Sequence, residues 1–138
     1  MEVKLKNIEV INAMNSTKIL LQTEDKDFSV KARWNLMKNM KKYESIFKTY
    51  SESEIEYVSR YAMKDVDGKF ISEEGTNEPK FTPSNKNEYL SKRDELLECE
   101  NTIDILKVKL SDLEGHVKNG EILYHLEFMI DDSEEIDK

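Results

Sequence analysis

The chain has almost no cysteine. Cys99 is the only one in 138 residues, so no disulfide can form within the chain, and a reducing compartment is the default. Its acidic neighbours Glu98 and Glu100 oppose activation as a nucleophile. Only four glycines and two prolines occur. Few glycines leave few places where backbone could cradle a phosphate, and no Gly-x-Gly-x-x-Gly, Gly-Lys-Ser or Gly-x-Ser-x-Gly pattern occurs. No run of about 18 apolar residues exists, so no membrane-spanning helix is expected. Met1 to Lys6 leads into no long apolar run, so no secretory signal is expected. A soluble protein of an intracellular compartment is the expectation.

Charge is abundant: 36% of residues are Asp, Glu, Lys or Arg, with a net charge of −8. That share, with little Gly and Pro, fits a helical protein with a well-solvated surface. The acidic balance argues against direct nucleic-acid binding, which needs a basic footprint, and against docking on anionic membranes. The charge is uneven. Lys31 to Lys48 holds six basic residues and one Glu, whereas acid collects at Asp94 to Glu100 and from Asp131 to Asp137. Basic and acidic helices facing each other is the expected use. At this length the chain is read as one domain over residues 1–130, with an acidic tail at 131–138.

The longest regular stretch runs from Ser29 to Lys64. Ser29 is a good helix N-cap, and neither Pro nor Gly interrupts the stretch beyond it. Leu36, Met40, Tyr43, Phe47, Tyr50, Tyr57 and Tyr61 recur in steps of four and three, with Glu54 at the missing step. Such spacing makes one apolar seam. Val30, Trp34 and Met37 form a second face at the start. Trp34 is expected to be buried against a first helix, Ile8 to Gln22, near Met14 or Leu21. That helix comes after a strand at Glu2 to Lys6.

Beyond Lys64, Asp65-Val66-Asp67-Gly68 turns the chain, and residues 66–82 read as a β-hairpin or ordered loop. A third helix, Lys86 to Thr102, should run antiparallel along the long one, with Arg93 extending its charged end out of an apolar face. Ile105 to Leu110 reads as a strand, Ser111 to Glu114 as a capped turn, and Glu121 to Ile130 as a heavily buried last helix. Val3-Lys4-Leu5-Lys6-Asn7-Ile8-Glu9 echoes Val108-Lys109-Leu110-Ser111-Asp112-Leu113-Glu114. The expectation is that Val3–Leu5 and Val108–Leu110 pair. The fold class is therefore α+β and mainly helical: a long antiparallel helical hairpin, with a small sheet pairing N- and C-terminal strands.

The Val3 to Glu9 segment with Ile11-Asn12-Ala13 resembles the opening of a family of small uncharacterised proteins from siphophages and prophages of Gram-positive bacteria. Leu110, Leu113-Glu114, Glu121-Ile122-Leu123 and Leu126-Glu127-Phe128-Met129-Ile130 resemble its end. The resemblance covers the two ends and the basic start of the long helix. It implies a viral origin, hence a host bacterial cytoplasm, and a non-enzymatic accessory role. It transfers no site residues.

Candidate sites are few. Asp65, Asp67, Gly68 and Glu74 partly match a calcium loop, but Met63 stands where the first acidic ligand belongs. His116 and His125, the only histidines, fall in a loop and on a helix, and a zinc site needs three or four ligands. The acids form no pair assignable to acid–base work. The chain is read as no enzyme, with no cofactor and no metal. The third helix, at roughly 25 Å, is shorter than the seam, at about 39 Å. The uncovered part should be a partner site or a homodimer contact built on Tyr50, Ile55, Tyr57, Val58 and Tyr61. Three functions compete: an accessory factor that docks a helix face on a host or phage protein; an acidic inhibitor that imitates nucleic acid before a host defence nuclease or DNA-binding protein; and a virion or assembly component.

Overall fold

A computed structural model describes residues 1–117 and 119–133. In chain order the elements are β1 (Glu2–Lys6), α1 (Asn7–Leu21), α2 (Val30–Tyr61), α3 (Pro83–Leu97), β2 (Glu100–Asp104), β3 (Val108–Lys109), α4 (Leu110–Leu113), α5 (Gly120–His125), a 3-10 turn (Glu127–Met129) and β4 (Ile130–Asp131). The fold is α+β and mainly helical. The chain forms two compact units. One comprises Met1–Phe47 with Glu100–Lys138, the other Lys48–Cys99. Asp131, expected to be the first tail residue, lies in β4, and residues 134–138 lie outside the described residues.

The first unit holds the main core. α1 buries Val10, Ala13, Thr17 and Leu20, while Ile8, Ile11 and Met14 are only half-buried. Its inner face is thus lined by smaller side chains than the sequence pattern singled out. At its start the Lys6 N–H donates to the Glu9 carboxylate, 3.0 Å away. α2 opens as expected on Ser29, whose hydroxyl accepts the Ala32 N–H at 3.1 Å. Ala32, Leu36, Asn39 and Tyr43 succeed one another in steps of four and three and are all buried. Leu113, Leu126 and Met129 belong to the same core.

The strand pairing corrects the expectation. β1 does pair with a late strand, antiparallel, but that strand is Glu100–Asp104, with Val3 opposite Ile103 and Leu5 opposite Asn101. Val108–Lys109 pairs instead with Ile130–Asp131, in parallel. The echo between Val3–Glu9 and Val108–Glu114 survives locally, since each is a strand running straight into a helix, yet the two belong to different sheets. α3 accordingly ends at Leu97 rather than Thr102. The 121–130 helix is cut to six residues, with the 3-10 turn and β4 after it.

Two basic side chains of α2's first half bind backbone carbonyls in this unit. Arg33 donates from Nη1 and Nη2 to the carbonyls of Leu21 and Thr23, both at 3.1 Å, closing the end of α1. Lys42 donates to the Asp104 carbonyl. Cations at a helix C-terminus satisfy carbonyls that have no partner within the helix. Lys31, Lys38 and Lys41 are exposed.

The second unit is the hairpin of α2's later turns with α3, and the chain between them. The Asn85 amide donates to the Tyr61 carbonyl and Tyr89 meets Glu54, so the two helices run antiparallel. α3 starts three residues earlier than expected, with Thr82 as N-cap accepting from Asn85 N–H at 3.3 Å and Pro83 at the first helical position. The 66–82 segment is an irregular antiparallel arm. Isolated bridges link Lys64 to Phe70 and Ser72 to Pro79. The Asp65 carboxylate accepts the N–H groups of Asp67 and Lys69, which makes it a turn-former.

Candidate functional site

Within α2 the residues two positions from the buried ones project the other way. Residue 34 lies about 200° around the helix from residue 32. Ala32 is buried, so Trp34 faces solvent, and it is 59% exposed. The expectation that α1 buries it is overturned. Val30 and Met37, one turn either side, are 84% and 47% exposed. These three make one apolar stripe, in steps of four and three, on the outer face of the first unit. The stripe is flanked by basic side chains. Lys38 Nζ lies 5.4 Å from the centroid of the Trp34 ring, and exposed Lys31 and Lys41 border the same face. No acid occurs between Asp27 and Glu44. Chemically this surface offers a flat indole, two apolar side chains and ammonium groups. It can bury apolar anchors and pair with carboxylates.

Because Trp34 is outside the core, Trp34→Ala should change unfolding free energy by no more than about 0.5 kcal/mol. Urea denaturation monitored by circular dichroism measures this. The indole, the only one in the chain, should also be quenched freely by acrylamide. A loss of several kcal/mol would mean the indole is packed.

The five seam residues expected to bind a partner do not form one surface. Tyr50 is buried, Ile55 is 66% exposed, and Tyr57, Val58 and Tyr61 are half-buried. Ile55 and Tyr57 sit about 200° apart around the helix. Tyr50 is tied to its neighbours. Burial pushes its phenol well above the usual range, and its hydrogen bond with Glu54 adds to this. The Tyr89 hydroxyl donates to Glu54 at 3.1 Å, and its phenol is likewise raised, first by burial and then by the Glu54 charge. Phe81 stacks on Tyr89, with centroids 5.0 Å apart. The charged Glu54 at the gap in the seam is thus a hydrogen-bond acceptor for the tyrosines around it.

Asp94, Glu95 and Glu98 lie on and just past the last turns of α3, beside a shallow groove that also includes Leu90. Cys99 is exposed. His125 sits on α5, its ring 5.5 Å from that of Tyr124. His116 has a different partner: its Nδ1 lies 2.6 Å from the Asp25 carboxylate. No helix among the described residues is long and apolar enough to cross a membrane. No protein-family model, curated protein or solved structure matches the chain.

Proposed function

We propose that this chain is a phage-encoded, non-enzymatic accessory factor that works in the host bacterial cytoplasm by docking on another protein through the Val30–Trp34–Met37 face. The partner is an acidic segment with apolar side chains, from a host or phage protein. The observation that carries this reading is a three-residue apolar stripe left open on a helix whose other side is packed, with lysines on its flanks. Scattered single apolar residues are ordinary on a surface, but a contiguous stripe marks an interaction site. Trp is among the residue types most often found at the energetic centre of an interface. The lysines set the sign of the partner and raise its association rate. The viral assignment rests on the resemblance of the chain ends to siphophage and prophage proteins.

A photo-crosslinking amino acid at position 37, in protein expressed in infected bacterial cells, tests this. The expected product is a crosslink to a protein segment rich in Asp and Glu, lost when Trp34→Ala is added. Crosslinks to nucleic acid alone, or to nothing, would sink the reading. Sedimentation equilibrium covers a further outcome. A dimer mass that Met37→Asp converts to monomer assigns the face to self-association instead.

A further inference from the structure

We propose that Asp25, Asp27 and His116 form a binding site for a divalent transition-metal ion. One carboxylate oxygen from each aspartate and one ring nitrogen of the histidine all lie within 4.8 Å of one another. The two aspartates come from the loop after α1, and the histidine from the turn after α4, 91 residues beyond Asp25. This convergence is invisible in the sequence, where His116 has no ligand partner at metal-site spacing. An imidazole with two carboxylates suits zinc-like ions, and three protein ligands leave a fourth position for water. Two carboxylates also balance the charge of a divalent ion.

The geometry is close to what coordination needs. Ligand atoms around a tetrahedral zinc stand about 3.4 Å apart, from bonds of roughly 2.1 Å. Asp25 Oδ2 and His116 Nδ1 are hydrogen-bonded at 2.6 Å, and a small parting of the two atoms opens the spacing an ion needs. Asp27 is exposed, and its carboxylate oxygen already lies within 4.8 Å of the other two ligand atoms. The histidine is the fixed member. Its side chain is 12% exposed, its ring and that of buried Phe28 are T-shaped with centroids 5.0 Å apart, and its backbone N–H donates to the Leu113 carbonyl. Gly115 precedes it at φ +82°, a left-handed turn that glycine adopts without strain. Beside the cluster a cleft of about 490 Å³, bordered by Ile19, Gln22, Gly115 and Ile122, gives solvent access to the open position.

Isothermal titration of the full chain with Zn²⁺, and Co²⁺ absorption in the visible, are the tests. One equivalent should bind, and Co²⁺ should show the visible bands of a four-coordinate site. Losing even an outer partner of a metal ligand costs about 10–100-fold in affinity, so Asp27→Asn should weaken binding by at least about tenfold. Asp27 is exposed, so circular dichroism should show that variant folded. His116→Ala should abolish the Co²⁺ bands, and His125→Ala should leave them intact. No binding by the wild type, or affinity unchanged in Asp27→Asn, overturns the site. So does loss of the bands in His125→Ala alone.

Discussion

Tyr43→Ala should lower the unfolding free energy by about 3–5 kcal/mol, the range for truncating a large aromatic side chain inside a core. Tyr43 has no exposed surface and is the largest fully buried side chain among the described residues. Its ring meets Phe128 edge to face, with centroids 6.4 Å apart. Its hydroxyl donates to Met129 Sδ, at 3.6 Å, a weak acceptor. Tyr43→Phe should therefore cost less than about 1 kcal/mol. The pair of variants separates packing from hydrogen bonding in urea titrations. Burial also pushes the Tyr43 phenol far above its ordinary value. The sign comes from linkage: the unfolded chain releases this proton first as pH rises. The contribution of Tyr43 to stability should be level below the ordinary phenol pKa, near 10, and fall above it. Tyr43→Phe should lessen the alkaline loss, with Tyr50 supplying part of what remains.

Asn39→Leu should cost about 3 kcal/mol, although it keeps the branched shape of the side chain and adds apolar surface. Asn39 is fully buried. Its Nδ2 donates to the Leu106 carbonyl at 2.8 Å, and its Oδ1 accepts the Leu106 N–H at 3.0 Å. The amide thus stands in for a strand partner at Leu106, between β2 and β3. Removing it leaves two backbone groups desolvated without partners, at roughly 1–3 kcal/mol each. A loss under about 0.5 kcal/mol would falsify the clamp and put water at those groups.

The same residue explains much of what the sequence hid. Periodicity ranks side chains by apolarity, so Val30, Trp34 and Met37 outweighed Ala32 and Asn39 in the first turns of α2. Close packing chose otherwise: small Ala32 and hydrogen-bonded Asn39 face inward, and the bulky stripe stays outside. The features set by local chemistry were legible. Ser29 caps α2, Asp65 and Gly68 turn the chain, and β1 alternates as a strand. The later seam through Tyr43 and Tyr50 was legible too, because large aromatics there do face inward. Strand partners were not, because Glu100-Asn101-Thr102-Ile103-Asp104 carries only one buried side chain, Ile103. Read alone it looks like a helix end. Its place beside β1 depends on Asn101, whose amide donates to the Leu5 carbonyl and to Asn7 Oδ1. The Asp25–Asp27–His116 cluster depends on chain crossings that no spacing encodes.

The division of the first unit between the two ends of the chain has a consequence for its birth on the ribosome. β1 meets its partner only after residue 104 has emerged, and Tyr43 meets Met129 across 86 positions. The nascent chain therefore carries α2 with Tyr43 lacking Phe128 and Met129 until those residues are made. Residues 48–99 can gather into their own hairpin meanwhile, because their partners are near in sequence. Translation at about 5–20 residues per second leaves several seconds between the appearance of Tyr43 and that of Met129. Through that interval the half-made first unit is exposed to chaperones and proteases, and its closure waits for the residues around Met129.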